Sequence, residues 1–446
     1  MVEKIKPKHP LRVILDTPTL KNKYGETIKL YDDNEFFDFI AVGGSSKYTE
    51  LQVDLENQAL SFEKDYPGKH QRTREEYAFP VTEEMITSLV TNWDLKPEEL
   101  KLLFIVQFMI VNPHEGPKVI LVTERKKLLN YSKYVTNKLP DFTIFSPEEA
   151  KIYIDLFCKK HGAYLVKPQH FVNRGLWYLY SMRSKLQLFQ IAWSINVNSQ
   201  EPPDLRDKNL QMFGSISGRV KDMLKAIDEI GMNYYKGSNN DTMEDMLYHF
   251  NYWVTLYSGV LDALAWISLY RYSISAPNKN KVALGNEDVL AELYKSNPKL
   301  KEVIGKNQKI IDLVYEPRNI FIHREMLHGL RLKDYQAGLE LNMIDVEGEF
   351  LSHIRDLQPV VKGGLNKAGL YVIKDHERYF LEPYRFVKFA TREFVSFLNQ
   401  FITALDYGEL LSKDPSLKSK VGEAARAVPG IFDFDDTEFQ DTALGY

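Results

Sequence analysis

Between residues 243 and 267, apolar side chains fall at positions 243, 246, 247, 250, 253, 254, 257, 260, 261, 264 and 267. This is one unbroken stripe at the period of an α-helix. At roughly 1.5 Å per residue it predicts a rod at least about 38 Å long. A rod with such a stripe buries it against other long helices, so a helical bundle is expected around it. Beside the stripe runs a thin polar line of Asn251, Thr255, Ser258 and Asp262. Polar groups next to a buried stripe need partners. Either a neighbouring helix supplies them, or the line is a solvated seam with ordinary interhelical bonds.

The rest of the C-terminal half fits a bundle. Leu176 to Val197 reads as one amphipathic helix, and residues 196 to 209, with Pro202-Pro203, as a polar linker. Leu210 to Tyr235 reads as helical after Gly214 or Gly218. Two more helical pieces are split at Asn297-Pro298, the second with apolar residues at 300, 303, 304, 310, 311 and 314 and Asn307 on the same face. Strand patterns then appear in Ala337 to Phe350 and Gly369 to Phe380, read as a β-hairpin insertion over about residues 337 to 380. Glu382-Pro383 opens a last helix with Phe386, Phe389, Phe394, Phe397 and Phe401 on its inner side.

Residues 1 to about 170 read differently, as alternating strands and helices of an α/β domain. Leu11 to Asp16, Phe36 to Val42 and Lys118 to Thr123 are candidate strands. Leu102 to Val111 is an apolar run long enough for a buried strand, and Glu124 to Tyr134 reads as helical. Ser146-Pro147-Glu148-Glu149 is a helix start with a capping box, and that helix runs to about His161-Gly162. The expected organisation is α+β and multidomain: 1–170 an α/β domain, 171–411 a helical domain with the β insertion, and 412–446 a flexible acidic tail. That tail carries Asp433, Asp435, Asp436, Glu438 and Asp441 with no base between them.

Composition narrows the function classes. The net charge is −4, from 57 bases and 61 acids, so any contact with nucleic acid must come from a local patch. One such patch lies between Lys295 and Lys309, where five lysines face one acid, Glu302. Lys299, Lys301, Lys306 and Lys309 are the candidate RNA-binding residues of this run, which is otherwise an ordinary solvated face. Cys158 is the only cysteine, which rules out a disulfide framework and suits a reducing cytoplasm. No stretch is long and apolar enough to span a membrane, and the lysine-rich start lacks the apolar core of a secretory leader. His249, His353 and His376 have no partner at metal-like spacing, so no metal site and no cofactor are expected.

The chemistry concentrates in Tyr315-Glu316-Pro317-Arg318-Asn319-Ile320-Phe321-Ile322-His323-Arg324-Glu325. Pro317 suits a first helical position and Gly329 a stop two turns later. Arg318 and Asn319 would then lie in a first turn, near the anion-favouring helix N-terminus. At about 100° per residue Asn319 and His323 share a face, with Arg318 roughly 140° from His323. Arg318 has a planar fork suited to phosphate, and His323 titrates near neutrality.

This Arg-Asn-x-x-x-His pattern, late in a helical bundle, resembles the signature of the HEPN superfamily. The resemblance covers roughly the C-terminal half. It implies a metal-independent endoribonuclease, of a kind common in antiviral defence and toxin systems. It also implies a homodimer in which two copies of the motif form one composite site. Arg318, His323 and Asn319 would then be catalytic, with Asp262 and Arg324 in support, and the N-terminal half would be regulatory or contact a partner protein. The alternative is a non-catalytic HEPN-like module that binds a nucleotide or a protein. Val13-Ile14-Leu15-Asp16-Thr17 and Ile120-Leu121-Val122-Thr123-Glu124 also resemble strand ends of PIN-like nucleases, which hold divalent metal on acids. That gives a third alternative, a metal-dependent nuclease at Asp16 and Glu124, which Arg125 opposes with its positive charge.

Overall fold

The computed structural model describes residues 10–20, 36–42, 49–54, 59–65, 72–78, 118–138, 142–167, 170–198, 202–276, 278–323, 329–334, 339–346, 364–373 and 378–407, with short pieces between 95 and 105 and single residues at 327, 355 and 361. Over these residues the fold is mixed α/β and mostly helical.

The N-terminal sheet has strands β1 (Leu11–Asp16), β2 (Phe37–Val42), β3 (Thr49–Asp54), β4 (Ala59–Asp65), β5 (Arg72–Ala78), β6 (Val119–Val122) and β7 (Phe142–Phe145) in the order β5-β4-β3-β2-β1-β6-β7. The five strands from β3 to β7 in that order pair in parallel, and β4 and β5 extend the β3 side as antiparallel strands. β1 and β6 are nearly continuous apolar runs because both faces of the sheet are covered. Alternation along β1 splits its side chains between two cores. Val13 and Leu15 face a large core shared with the long helices, while Ile14 joins Leu121, Ile144 and Leu128 on the other face.

The apolar run at 102 was expected to be a strand. Leu102, Leu103 and Ile105 are instead helical and buried in the second core, and residues 106–111 lie outside the described residues. The Glu99 carboxylate accepts from the Lys96 backbone N–H at 2.8 Å, which starts a helical turn just before the run. A short apolar run has no period of its own to decide the matter.

Short helices α1 (Lys126–Asn130) and α2 (Ser132–Lys138) precede β7, and α3 (Pro147–Lys160) follows it behind the Ser146/Glu149 capping box. A small hairpin, β8 (Tyr164–Lys167) and β9 (His170–Val172), leads into the helical half. The segment expected as one helix is two, α4 (Arg174–Lys185) and α5 (Gln187–Asn198). The break falls at Leu186, whose side chain is fully buried, and Asn399 donates to the freed Lys185 carbonyl at 2.9 Å. Next, α6 (Pro203–Tyr234) begins at Pro203 and runs through both Gly214 and Gly218, so the expected linker is short. Burial of Phe213, Ile216 and Val220 around those glycines outweighs their cost of about 1 kcal/mol each.

The stripe helix is α7 (Asn240–Arg271), capped at Asn239 by a reciprocal bond with Thr242. α8 (Glu287–Ser296) and α9 (Pro298–His323) follow, divided at Asn297 as the sequence indicated. A four-stranded antiparallel sheet comes next, β10 (Gly329–Asp334), β11 (Leu339–Val346), β12 (Leu370–Ile373) and β13 (Arg378–Leu381), in the order β10-β11-β13-β12. α10 (Pro383–Ala404) buries the phenylalanine face that its pattern predicted. Residues 408–446, including the acidic stretch, lie outside the described residues.

Two local expectations for α9 fail. Pro317 lies inside the helix and is buried, so it does not start one. The helix is already fixed upstream by Ile310, Ile311, Leu313 and Val314, all buried, and that packing tolerates the one backbone bond proline removes. Gly329 is not a helix stop but the first residue of β10. A side chain there would meet Met243 Sδ at 2.5 Å, so the glycine permits close approach to α7.

Candidate active site

The Asn297 amide donates to the Tyr272 hydroxyl, and Gly329 packs on Met243 and Leu247. The start of α9 therefore lies at the end of α7, and the chain just past α9 lies at the start of α7, so the two helices run antiparallel. Across their seam, the Tyr315 hydroxyl donates to Asp262 Oδ1 at 3.3 Å. Asp262 is half-buried, and burial raises its carboxyl. The charge of Arg318, the Tyr315 hydrogen bond and the charge of Arg219 all work against that rise. Burial and the neighbouring Asp262 also push the Tyr315 phenol up, so it stays a donor. Arg219 lies flat against α7 because position 259 is glycine; a Cβ there would sit 2.5 Å from Arg219 Nε.

Asp262 is thus the one member of the polar line that reaches across to α9. Thr255 and Ser258 instead donate back to carbonyls of α7, at 2.9 Å to Asn251 and 3.0 Å to Thr255. Arg318 and Asn319 are both half-buried in the body of α9, not in a first turn, so no helix N-terminus assists them. His323 is the last residue of α9. Its side chain, and Arg324 entirely, lie outside the described residues. Across the seam the carboxylate bonds the phenol, and the Arg318 guanidinium lies near enough for its charge to act on that carboxylate.

The lysines of α9 are placed elsewhere. Lys299 pairs with Asp406 at 2.8 Å, and Lys301, Lys306 and Lys309 are exposed. At about 100° per residue all four lie roughly 100–180° around the helix from Arg318. They form a separate face of α9.

In the N-terminal sheet the parallel register sets Leu15 opposite Val122 and so brings Asp16 to Thr123. Asp16 Oδ2 accepts from Arg125 Nε at 2.8 Å, Thr123 at 2.7 Å and Thr19 at 2.9 Å. Asp16 is buried and committed to this clamp, which ties β1 to the turn after β6. Among the described residues no cluster of three His, Cys, Asp or Glu side chains could hold a metal.

A second polar centre was not anticipated. In the helical interior Lys159 bonds Asp155 at 2.6 Å and Asp228 at 3.1 Å, and the Tyr178 hydroxyl donates to Asp228 at 2.7 Å. Burial pulls Lys159 down, but the two carboxylates together hold it above its ordinary value. Burial raises Asp155 to about 6. Nearby, burial and the charge of Lys159 lower Lys185 to about 7, and burial lowers Lys388 to about 8. The signal in the sequence was the Asp155/Lys159 spacing of four, set among Ile154, Leu156, Phe157 and Cys158 of the same helix.

These shifts predict a pH dependence. Unfolded lysine holds its proton up to about 10.4, whereas folded Lys185 loses it near 7. The unfolded chain therefore binds more protons between pH 7 and 10, and stability rises with pH in that window. Asp155 acts in the opposite sense between about 4 and 6, where the folded chain holds the extra proton. Lys185→Met should therefore be more stable than the parent at pH 7, by about 2 kcal/mol after allowance for partial exposure, with the gain fading toward pH 10. Urea midpoints at both pH values measure it.

Compared with known proteins, the chain matches no family model, no curated protein and no solved structure.

Proposed function

We propose that the chain is a metal-independent endoribonuclease, with a HEPN-like helical half that carries the reaction and an α/β half, PIN-like in its strand ends, that regulates it. The observation that supports the reading is that Arg318, five residues before His323 on α9, lies near enough to Asp262 of α7 for its charge to favour that carboxylate, which also accepts from Tyr315. RNA supplies its own nucleophile, the 2′-hydroxyl. The protein must remove that proton, stabilise charge on the phosphorane oxygens and protonate the departing 5′-oxygen. His323 serves as base or acid, Arg318 holds the phosphate and Asn319 orients either group, with Asp262 fixing the guanidinium and Arg324 in support. One histidine per chain is a thin set for two proton transfers. A homodimer that joins two copies of the motif in one cleft supplies a base and an acid. The products are a 2′,3′-cyclic phosphate and a 5′-hydroxyl, and the biological role is that of a defence or toxin-type effector.

Incubation of purified protein with RNA in excess EDTA tests this. Cleavage that persists and leaves cyclic phosphate ends supports the reading. Loss of cleavage in EDTA, or 3′-hydroxyl ends, rules out the metal-free route, and an intact RNA pool with and without metal favours a binding module.

A further inference from the structure

We propose that the cavity enclosed by α3, α4, α6 and α10 is a binding site for a small organic anion with an apolar body. The cavity has a volume of about 220 Å³. At roughly 30 Å³ per water it holds about seven waters, or one ligand the size of an eight-carbon carboxylate. Its walls include Leu156, Trp177, Leu224, Ile227 and Val395, which suit an apolar body and not a hydrated ion.

The charge on its surface calls for an anion. Lys151, Lys159, Lys185, Lys388 and Arg392 line it against two carboxylates, Asp155 and Asp228. Arg392 is paired with Glu393 at 2.9 Å, and the four lysines against two carboxylates still leave the lining with a net positive formal charge. Surplus positive charge in a low-dielectric pocket is costly unless an anion enters. The depressed lysines Lys185 and Lys388 register that cost.

A second observation is independent of charge. Ser181 lines the cavity, is 1% exposed, and its hydroxyl oxygen has no hydrogen-bond partner. Buried hydroxyls are nearly always bonded, so one left over on a cavity wall marks where a ligand oxygen belongs. Ser181 sits one turn before Lys185 on α4, so a single carboxylate head can take both.

Calorimetric titration of the full chain at pH 7 tests this, with octanoate as probe and 1-octanol and inorganic phosphate as comparisons. Octanoate is expected to bind at one site, at least tenfold more tightly than either comparison. Ser181→Ala should weaken octanoate by about three- to tenfold with an unchanged melting temperature. Lys185→Met should weaken it at least tenfold while the unliganded protein becomes more stable, so failure to fold does not confuse the result. Absence of saturable octanoate binding overturns the proposal. Equal binding of 1-octanol overturns the anion requirement, and equal binding of phosphate overturns the apolar body. Octanoate binding that is unmoved in both variants places it outside this cavity and also overturns the proposal.

Discussion

Arg318→Ala is expected to lower RNA cleavage about a thousandfold, roughly 4 kcal/mol of barrier, with little change in melting temperature. The first effect follows from the proposed role, since the guanidinium would stabilise charge that develops only on the phosphorane. The second follows from the structure. Arg318 is half-buried on the flank of α9, and Asp262 keeps Tyr315 and Arg219 when it is lost. Arg318→Lys should recover only part of the rate, because the charge returns without the planar fork. His323→Ala should abolish cleavage with the fold equally intact, whereas strong destabilisation would mark a packed core histidine. Near-parental cleavage by Arg318→Ala would end the ribonuclease reading as drawn here.

Trp253→Ala is expected to cost about 3–5 kcal/mol in stability. Trp253 is fully buried at the middle of α7, and its indole N–H donates to Thr391 Oγ1 of α10 at 3.1 Å. Its ring stacks with Phe250 at 6.1 Å and lies 5.4 Å from Tyr257. Alanine would leave a large void and strand the Thr391 hydroxyl without its donor. Trp253→Phe restores most of the volume but not the bond, and should cost about 1–2 kcal/mol. Urea denaturation measures both. A loss under about 1 kcal/mol for the alanine variant would mean that α7 and α10 do not share this core.

Much of the secondary structure was legible because it rests on local rules. The stripe of α7, the capping box of α3, the apolar strands β1 and β6 and the phenylalanine face of α10 each have a period or a cap that needs no tertiary partner to be read. The expectations that failed were those where packing outbids a local preference. Pro317 reads as a helix start but lies inside α9, because four buried residues before it fix the helix. Leu186 interrupts a pattern that looked continuous, since Asn399, more than two hundred residues away, caps the break.

The candidate site divides in the same way. By itself the sequence determined which residues could do chemistry, Arg318, Asn319 and His323, and that Asp262 lay on the polar edge of a buried stripe, because residue type and helical spacing are local properties. Only the tertiary structure decided that Asp262 bonds Tyr315 within range of the Arg318 charge, that the α9 lysines form a face of their own, and that Asp155, Lys159 and Asp228 line a charged cavity. Those outcomes depend on which helix lies against which and at what offset. That is fixed by the summed burial of many side chains, and no short stretch of the chain encodes it.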